Sequence, residues 1–317
     1  MINRFIFFLF KKQLIIYENH RNVAPILNDY NKLKYIFISV NPLWKVLTIL
    51  GNGKLRSSAV LLVLKVVNPV AILSMNWISN RQHVYFLFAK QKKREFIVVQ
   101  HGSYVGGIIK DEAHKFAKCT TMLCWSKFFT DTFTRLNPDT STKFINYGNP
   151  VYNVYNRATF TYNEAPIKNI LCLPTYMKEE YVIKRFKKLY DKLLSLGFSV
   201  VVGEHSFQKR LNPLGDVNVS NTRSLELLKK NEFDLVISDH SSALLDAIFF
   251  KNKVLYFNAQ LENAENKYSE YLLNINTLKI EEITQDILLN TINIKDKESL
   301  FVELSGGYTK NNIITFL

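Results

Sequence analysis

The chain has 317 residues, enough for two domains of ordinary size or one large one, and 47% of them are hydrophobic while 21% are charged. With only 8 prolines, 11 glycines and 3 cysteines, this composition excludes a disordered, a collagenous or a disulfide-stapled protein. The net charge of +14 favours anionic partners, which include nucleic acid, nucleotide diphosphates and acidic lipid surfaces.

Two apolar stretches near the N-terminus could be mistaken for membrane spans. Residues 5–10 are apolar but far fewer than the roughly 20 that a span requires, and no cleavage site of a secretory signal follows them. The longer stretch at 58–75 is interrupted by a lysine, an asparagine and a proline, so it predicts a buried helix that leads into a strand. We therefore expect a cytoplasmic protein whose cysteines are reduced and lie in the core.

Nine short apolar runs, most of them ending in polar or small residues, follow one another along the chain. They lie at residues 35–41, 70–76, 96–102, 122–126, 144–150, 169–175, 198–205, 233–242 and 254–258. Such runs, nearly continuous in valine, isoleucine, leucine and phenylalanine, are typical of parallel strands buried on both faces. Residues 178–197 instead carry apolar side chains at helical spacing and end in Gly197, which predicts an amphipathic helix with a glycine cap.

The alternation of strands and helices predicts an α/β protein with right-handed crossovers. Residues 152–166 follow neither periodicity and are rich in asparagine, threonine and tyrosine, so they are the best candidate for a linker. We therefore predict two Rossmann-like domains, at residues 1–155 and 156–317, whose parallel sheets face a central cleft.

Polar residues collect at the carboxyl ends of the predicted strands in both halves. Open α/β sheets bind ligands beyond these ends, because the loops diverge there and the following helices present their N-terminal amides. The strand-end residues are His101, Gly102, Ser126, Gly148, Asn149, Thr175, Glu204, His205, Ser238, Asp239, His240, Ser241 and Ser242. One such residue would mean little, but several from both halves indicate a binding cleft between the domains.

Residues 233–250 combine a strand, a tight polar turn and a mostly apolar helix. Ser241 or Ser242 can act as the N-cap of this helix, whose free N–H groups and dipole would attract a phosphate beside the two hydroxyls. A plain serine cap without a ligand is the alternative interpretation. Asp246 lies four residues beyond Ser242 and either contacts a ligand or complements the positive end of the helix.

His101 and His205 each end an apolar run. Gly102 and two further glycines follow His101 and would allow a ligand to approach closely, which favours a functional role for this histidine. The alternative is a core histidine whose ring is hydrogen-bonded to a backbone carbonyl. His240 lies inside the serine turn, and a structural role is its simpler interpretation.

Other ligand-binding signatures are missing from the sequence. Residues 51–58 lack the first glycine and the Ser or Thr of a phosphate-binding loop, and the chain has no Asp-x-Asp, no dinucleotide fingerprint and no metal-ligand spacing. The basic run at 90–94 lacks the interleaved aromatic side chains of a single-strand nucleic-acid groove. We therefore expect no metal, no cofactor and no nucleic-acid partner.

The order of six segments resembles that of a known family. They read VVQHG, CWSKFFTDTF, FINYGNPVYN, ILCLPTY, VVVGEH and LELLKKNEFDLVISDHSSALLDAIFFKNKVLYF. Between about residues 70 and 258 the chain is similar to the CDP-glycerol glycerophosphotransferases of teichoic-acid and capsule assembly. This resemblance implies a GT-B fold with an N-terminal acceptor domain, a C-terminal nucleotide-donor domain and no metal requirement. Where the family usually has tryptophan before its first histidine, this chain has Gln100.

The resemblance also implies roles for individual residues. His101, in the family's His-Gly motif, corresponds to the general base that takes a proton from the acceptor hydroxyl. His205, Ser241 and Ser242 correspond to residues that hold the donor's phosphates. Further candidate donor contacts are Thr175 and Gly148, with Gly102, Asp239, His240 and Asp246 as additional possibilities.

The sequence thus predicts a transferase that moves a polyol-phosphate or glycosyl group from a nucleotide-activated donor, such as CDP-glycerol, to a surface polysaccharide. One alternative is a GT-B glycosyltransferase that uses a CMP- or UDP-activated sugar in capsule or O-antigen synthesis. Another is a non-catalytic, basic nucleic-acid- or glycan-binding protein. The enzyme's expected partners are a lipid-linked glycan and the anionic inner face of the cell membrane, on which it would lie as a peripheral protein.

Overall fold

The structure is a computed structural model. It describes residues 15–17, 26, 58, 60–62, 64–65, 68–75, 77–78, 80–102, 115–152, 155, 159–162, 164–174, 180–203, 217–220, 222–239, 242–257 and 277–291. Two compact units are formed, the first by the described residues up to His101 and from 115 to Tyr155, the second by Gly102 and the described residues from 159 to 291. The predicted strand at 35–41 lies outside these ranges.

The first unit contains a parallel sheet of five strands. In spatial order these are β1 (Ile15–Tyr17), β2 (Ala71–Ser74), β3 (Glu95–Val99), β4 (Thr121–Cys124) and β5 (Lys143–Asn146). Helix α1 (Asn80–Lys92) lies between β2 and β3 in the chain, and α2 (Lys127–Leu136) lies between β4 and β5. Strands β2 and β4 are buried along their whole length, which confirms the interpretation of their continuous apolar runs.

The apolar stretch at 58–75 is a helix followed by a strand, as predicted. Its described positions between 58 and 65 are helical, with Val60 and Leu64 buried and Leu62 exposed, and β2 follows. No helix in the part of the chain that the structure describes is long and apolar enough to cross a membrane.

The second unit contains a parallel sheet of six strands. They are β6 (Asn169–Leu173), β7 (Ser199–Gly203), β8 (Val219–Ser220), β9 (Leu235–Ser238), β10 (Val254–Phe257) and β11 (Thr277–Leu278). Their spatial order is β11-β10-β9-β6-β7-β8, with every neighbouring pair parallel. The order reverses between β6 and β9, because the chain proceeds from β6 to one side of the sheet and returns at β9 to the other.

In the described part of the second unit, four helices and one short 3-10 helix accompany the sheet. The helices are α3 (Glu180–Ser195), α4 (Ser224–Lys230), α5 (Ala243–Phe249) and α6 (Gln285–Leu289), and the 3-10 helix is Ile280–Glu282. Helix α3 buries Val182, Phe186, Leu189, Tyr190 and Leu193 in the core of the unit, which confirms the helical spacing read from the sequence.

The end of α3 shows why Gly197 terminates the helix. Gly197 has a φ of +87°, a conformation that costs glycine no side-chain clash, and its N–H donates to the Leu194 carbonyl at 2.9 Å. The N–H of Phe198 donates to the Leu193 carbonyl at 3.3 Å. This pair of bonds is a Schellman motif and confirms the predicted glycine cap.

The second half of the predicted linker packs onto the second unit. The Phe160 ring meets that of Phe250 edge to face, with 4.8 Å between ring centres. The buried Lys253 ammonium donates to the Ala165 carbonyl at 3.1 Å. These linker residues therefore pack on the surface of the second unit.

The three cysteines are free and buried, as the sequence predicted. Burial raises the pKa of Cys124 and of Cys172 from the ordinary value of 9.0 to about 12 and also raises the pKa of Cys119. Near neutral pH the folded protein therefore holds all three as unreactive thiols. We expect a disulfide reagent such as DTNB to label none of them until the chain unfolds, and labelling of the native protein at the denatured rate would contradict this.

The same thiols make stability depend on pH. Above about pH 9 the unfolded chain loses their protons while the folded chain keeps them, so the unfolded state binds fewer protons. The free energy of unfolding is then expected to fall as the pH rises from 9 towards 12. Urea titrations at increasing alkaline pH, compared with a Cys124→Ala, Cys172→Ala variant in which this slope is smaller, measure the effect.

Candidate functional site

The carboxyl edge of the first sheet is fixed by hydrogen bonds between β3 and β4. Gln100, which directly follows β3, is fully buried, and its side-chain Oε1 accepts the backbone N–H of Trp125 at 2.8 Å. The Gln100 carbonyl accepts the indole N–H of Trp125 at 2.9 Å, and the Gln100 N–H donates to the Leu123 carbonyl at 3.0 Å. Gln100 and Trp125 thus lock the ends of the two strands together immediately before His101.

His101 lies two residues beyond β3 and is half-buried. Its ring nitrogen Nδ1 lies 2.7 Å from the carbonyl oxygen of Met75, the residue that follows β2. A carbonyl oxygen can only accept, so Nδ1 carries the hydrogen, and in the neutral ring Nε2 carries the lone pair. This is the backbone hydrogen bond that the alternative interpretation of His101 invoked, but the ring lies at the sheet edge and not in the core.

Gly148 and Gly102 lie at the same edge of the first sheet. Gly148 has a φ of +95°, and its N–H donates to the Cys124 carbonyl at 3.1 Å, beside that of Tyr147 at 2.8 Å. The chain therefore turns away from the sheet directly after β5, in a conformation that favours glycine. Gly102 is half-buried next to His101.

Ser126 begins helix α2 at this edge. It is the N-cap residue with extended backbone angles, φ −156° and ψ 174°, yet its hydroxyl makes no capping hydrogen bond. The hydroxyl is buried and has no hydrogen-bond partner among the described residues. The serine therefore shapes the helix start through its backbone and not through its side chain.

A crevice opens at the carboxyl edge of the second sheet, at the point where the strand order reverses. It is lined by Pro174, Phe186, Ile237, Ser238, Asp239 and Phe257. Loops leave neighbouring strands in opposite directions at such a point, which is where open α/β sheets bind ligands. Between the described residues the crevice is narrow, so a ligand would lie across its mouth.

Ser242 is the N-cap of α5, as predicted, but it does not cap with its side chain. Its backbone is helical, with φ −58° and ψ −13°, and its hydroxyl makes no capping hydrogen bond. A serine that caps through its side chain has an extended backbone, so that the oxygen can reach the second or third N–H of the helix. The plain serine cap of the alternative interpretation is therefore not what Ser242 forms.

Asp239 and Asp246 are both buried near Ser242. Asp239 directly follows β9 and lines the crevice, while Asp246 lies in α5 and is 4% exposed. The backbone N–H of Asp246 donates to the Ser242 carbonyl at 3.1 Å. Asp239, Ser242 and Asp246 thus follow one another from the end of β9 into the first turn of α5, and their part in ligand binding stays a prediction.

The remaining candidates are not placed by the structure. Thr175, His205, His240 and Ser241 lie outside the described residues. Among the residues that are described, no three His, Cys, Asp or Glu side chains are close enough to one another to hold a metal ion.

Two structural features of these edges were missed by the sequence reading. The lock between Gln100 and Trp125 had one signal, the departure from the family's usual tryptophan at position 100. The second feature is the contact of the Arg185 guanidinium in α3 with the ring of Phe257. It had no signal in the sequence, because Arg185 occupies the place of an ordinary surface charge in the helical pattern.

Neither a protein-family model nor a curated protein matches the sequence. Solved structures do resemble the chain over nearly its whole length. A putative UDP-N-acetylglucosamine 2-epimerase from Listeria monocytogenes has a TM-score of 0.57 at 10% identity, over 95% of this chain and 93% of that protein. The glycosyltransferase SnogD from Streptomyces nogalater has a TM-score of 0.55 at 11% identity, over 96% and 100%.

The wall teichoic acid polymerase TagF is also similar, with a TM-score of 0.54 at 13% identity over 98% of this chain and 91% of that protein. At such identities a likeness establishes the fold alone, and here it agrees with the two parallel α/β sheets. The chain has the GT-B fold. The fold that the resemblance implied is therefore confirmed, while the assignment of acceptor and donor to the two halves stays a prediction.

Proposed function

We propose that the protein is a transferase that takes a nucleotide-activated donor and moves a polyol-phosphate or glycosyl group to a hydroxyl of a surface polysaccharide. The observation that carries the proposal is the position of His101 in a GT-B fold. Its half-buried ring lies two residues beyond β3, at the carboxyl edge of the first sheet, and its Nδ1 is hydrogen-bonded to a backbone carbonyl. Such a ring has the lone pair of a general base on Nε2.

In the proposed reaction, Nε2 of His101 takes the proton of the acceptor hydroxyl. The acceptor oxygen then forms a bond to phosphorus, or to the anomeric carbon if the donor is a sugar. The bond from that atom to the nucleotide's phosphate oxygen breaks, and its electron pair leaves with the nucleotide. The hydrogen bond from Nδ1 to Met75 holds the ring in place and stabilises the positive charge that the ring acquires.

The donor would bind at the second unit. The crevice at the reversal of strand order and the half-buried Ser242 support this position. For the phosphates we propose Ser242 together with Ser241 and His205, both on the resemblance alone, and Thr175, on its place at the predicted end of a strand. Hydrogen-bond donors at such a site, whether neutral or charged, stabilise the negative charge on the departing nucleotide.

A CDP-activated polyol is the first candidate donor, because the most specific matching segment, residues 225–257, resembles the CDP-glycerol glycerophosphotransferases. A UDP- or CMP-activated sugar is the second candidate, since Gln100 replaces that family's usual tryptophan beside the base. The acceptor that we propose is a lipid-linked glycan met at the anionic inner membrane face, which the net charge of +14 would favour. The proposed membrane location is tested by sedimentation with anionic vesicles, which the protein should follow at low salt and leave at high salt.

A thermal-shift panel of CDP-, CMP-, UDP- and GDP-activated compounds tests the donor class. A ligand that binds only the folded state stabilises it by about 2.7 kcal/mol at 100 times its Kd, which raises the melting temperature. We expect CDP-glycerol to give the largest rise. A rise with only UDP- or CMP-sugars would select the second candidate. If none of these compounds raises the melting temperature and oligonucleotides, tested in the same way, do, the result would instead favour a binding protein without catalysis.

A further inference from the structure

Arg185 lies at the binding edge of the second sheet. It is the sixth residue of α3, the helix that follows β6, and β6 borders the reversal of strand order. Its guanidinium carbon lies 5.8 Å from the centre of the Phe257 ring, and Phe257 both ends β10 and lines the crevice. The next residue, Phe186, lines the same crevice.

The guanidinium of Arg185 has no acceptor within the described part of the chain. The residue is half-buried, and its Nε is enclosed without a hydrogen-bond partner. By contrast, two lysines on the same helix form ion pairs in exposed positions, Lys184 with Glu180 at 2.8 Å and Lys187 with Asp191 at 3.1 Å. Of these three cations, Arg185 is thus the least hydrated, and it is the one that pairs with no carboxylate among the described residues.

An enclosed charged donor without an acceptor destabilises the folded protein, and the face of Phe257 offsets only part of this cost. The planar guanidinium presents its N–H groups as a fork that fits two oxygens of a phosphate, and contact with an aromatic ring keeps the fork in one orientation. An incoming phosphate would therefore supply the missing acceptors to a side chain that is already oriented.

We propose that Arg185 binds a phosphate group at the mouth of the crevice. The identification of that phosphate as part of a nucleotide donor rests on the proposed function. Asp239 lines the same crevice, and its carboxylate would repel an anion if the guanidinium of Arg185 were absent. The arginine therefore also decides whether a phosphate can approach this edge.

The test compares Arg185→Gln with Lys184→Gln, a matched loss of one positive charge from the adjacent position on the helix. Calorimetric titrations use pyrophosphate, CDP, UDP and cytidine. We expect Arg185→Gln to weaken the binding of pyrophosphate, CDP and UDP about tenfold or more, because charge-assisted hydrogen bonds are lost. Lys184→Gln should change them less than about twofold, as for an exposed surface ion pair. The affinity for cytidine, which has no phosphate, should not change in either variant.

A second measurement separates this role from a structural one. Arg185→Met keeps an apolar stem over Phe257 and removes the unpaired charge, so its melting temperature without ligand should equal or exceed that of the wild type. A melting temperature lowered by several degrees would overturn the proposal, as would wild-type pyrophosphate affinity in Arg185→Gln or no pyrophosphate binding by the wild-type protein.

The outcomes also separate this inference from the proposed function. If nucleotide-activated compounds bind the wild type and Arg185→Gln equally, the inference is wrong and the proposed function stands. If pyrophosphate binding requires Arg185 but no nucleotide-activated compound binds, the phosphate site stands and the proposed donor class is wrong.

Discussion

We expect His101→Ala to lower the single-turnover rate about 100-fold or more while leaving the donor affinity nearly unchanged, because loss of a general base removes an interaction that forms only in the transition state. The structure gives this expectation its geometry. The hydrogen bond from Nδ1 to the Met75 carbonyl places the lone pair of the neutral ring on Nε2. Rapid-quench measurement of transfer from a saturating donor reports the rate, and calorimetry reports the affinity.

The pH dependence of the same rate provides a second readout. A base acts only when its ring is neutral, so the wild-type rate should fall on acidification as the imidazole gains a proton, and the residual rate of His101→Ala should lose that dependence. A structural histidine would not produce this change in the pH profile.

His83 is the matched control. It is half-buried like His101 and belongs to the same unit, but it lies in the first turn of α1 and not in the segment that follows β3. His83→Ala should leave the rate and its pH dependence unchanged. An unchanged rate in His101→Ala, or a lost donor affinity with an intact chemical step, would show that His101 is not the base.

Strands β2, β3, β4, β6, β9 and β10 were predictable because each is an apolar run that ends in polar or small residues, whereas β5 is exposed or half-buried along its length and not buried on both faces as predicted. Burial on both faces forces a parallel strand to be apolar throughout, so β2, β4 and β9 could be located from composition alone. Helix α3 was predictable for a related reason, since its buried stripe repeats at helical spacing and Gly197 ends it.

The parts that sequence reading missed depend on contacts between distant residues. Strand β1 has only three residues and pairs with β2, more than 50 residues later in the chain, so no local pattern identifies it. The unpaired state of Arg185 depends on which carboxylates surround it in three dimensions. Ser242 shows the limit differently, because the sequence located the cap position but not the helical backbone that directs the hydroxyl away from it.

That hydroxyl gives the second large effect. We expect replacement of both Ser241 and Ser242 with alanine to weaken donor binding, by about 1.5 to 3 kcal/mol for each hydrogen bond to a charged phosphate, or roughly 10- to 150-fold in Kd per bond. The single-turnover rate at saturating donor should change far less than the affinity. Calorimetric titration of each variant with the donor that gives the largest thermal shift measures the Kd.

Ser242→Ala alone distinguishes phosphate binding from helix capping. A serine that caps through its side chain stabilises the protein by about 1 kcal/mol, so its loss lowers the melting temperature. Ser242 makes no such bond, so its alanine variant should melt at the wild-type temperature without donor and show a smaller donor-induced rise. Ser224→Ala, at the start of α4 in the same unit, is the matched control and should leave the donor-induced rise unchanged. A Ser242→Ala variant that melts several degrees lower and binds donor normally would assign the residue to the helix and remove it from the donor site.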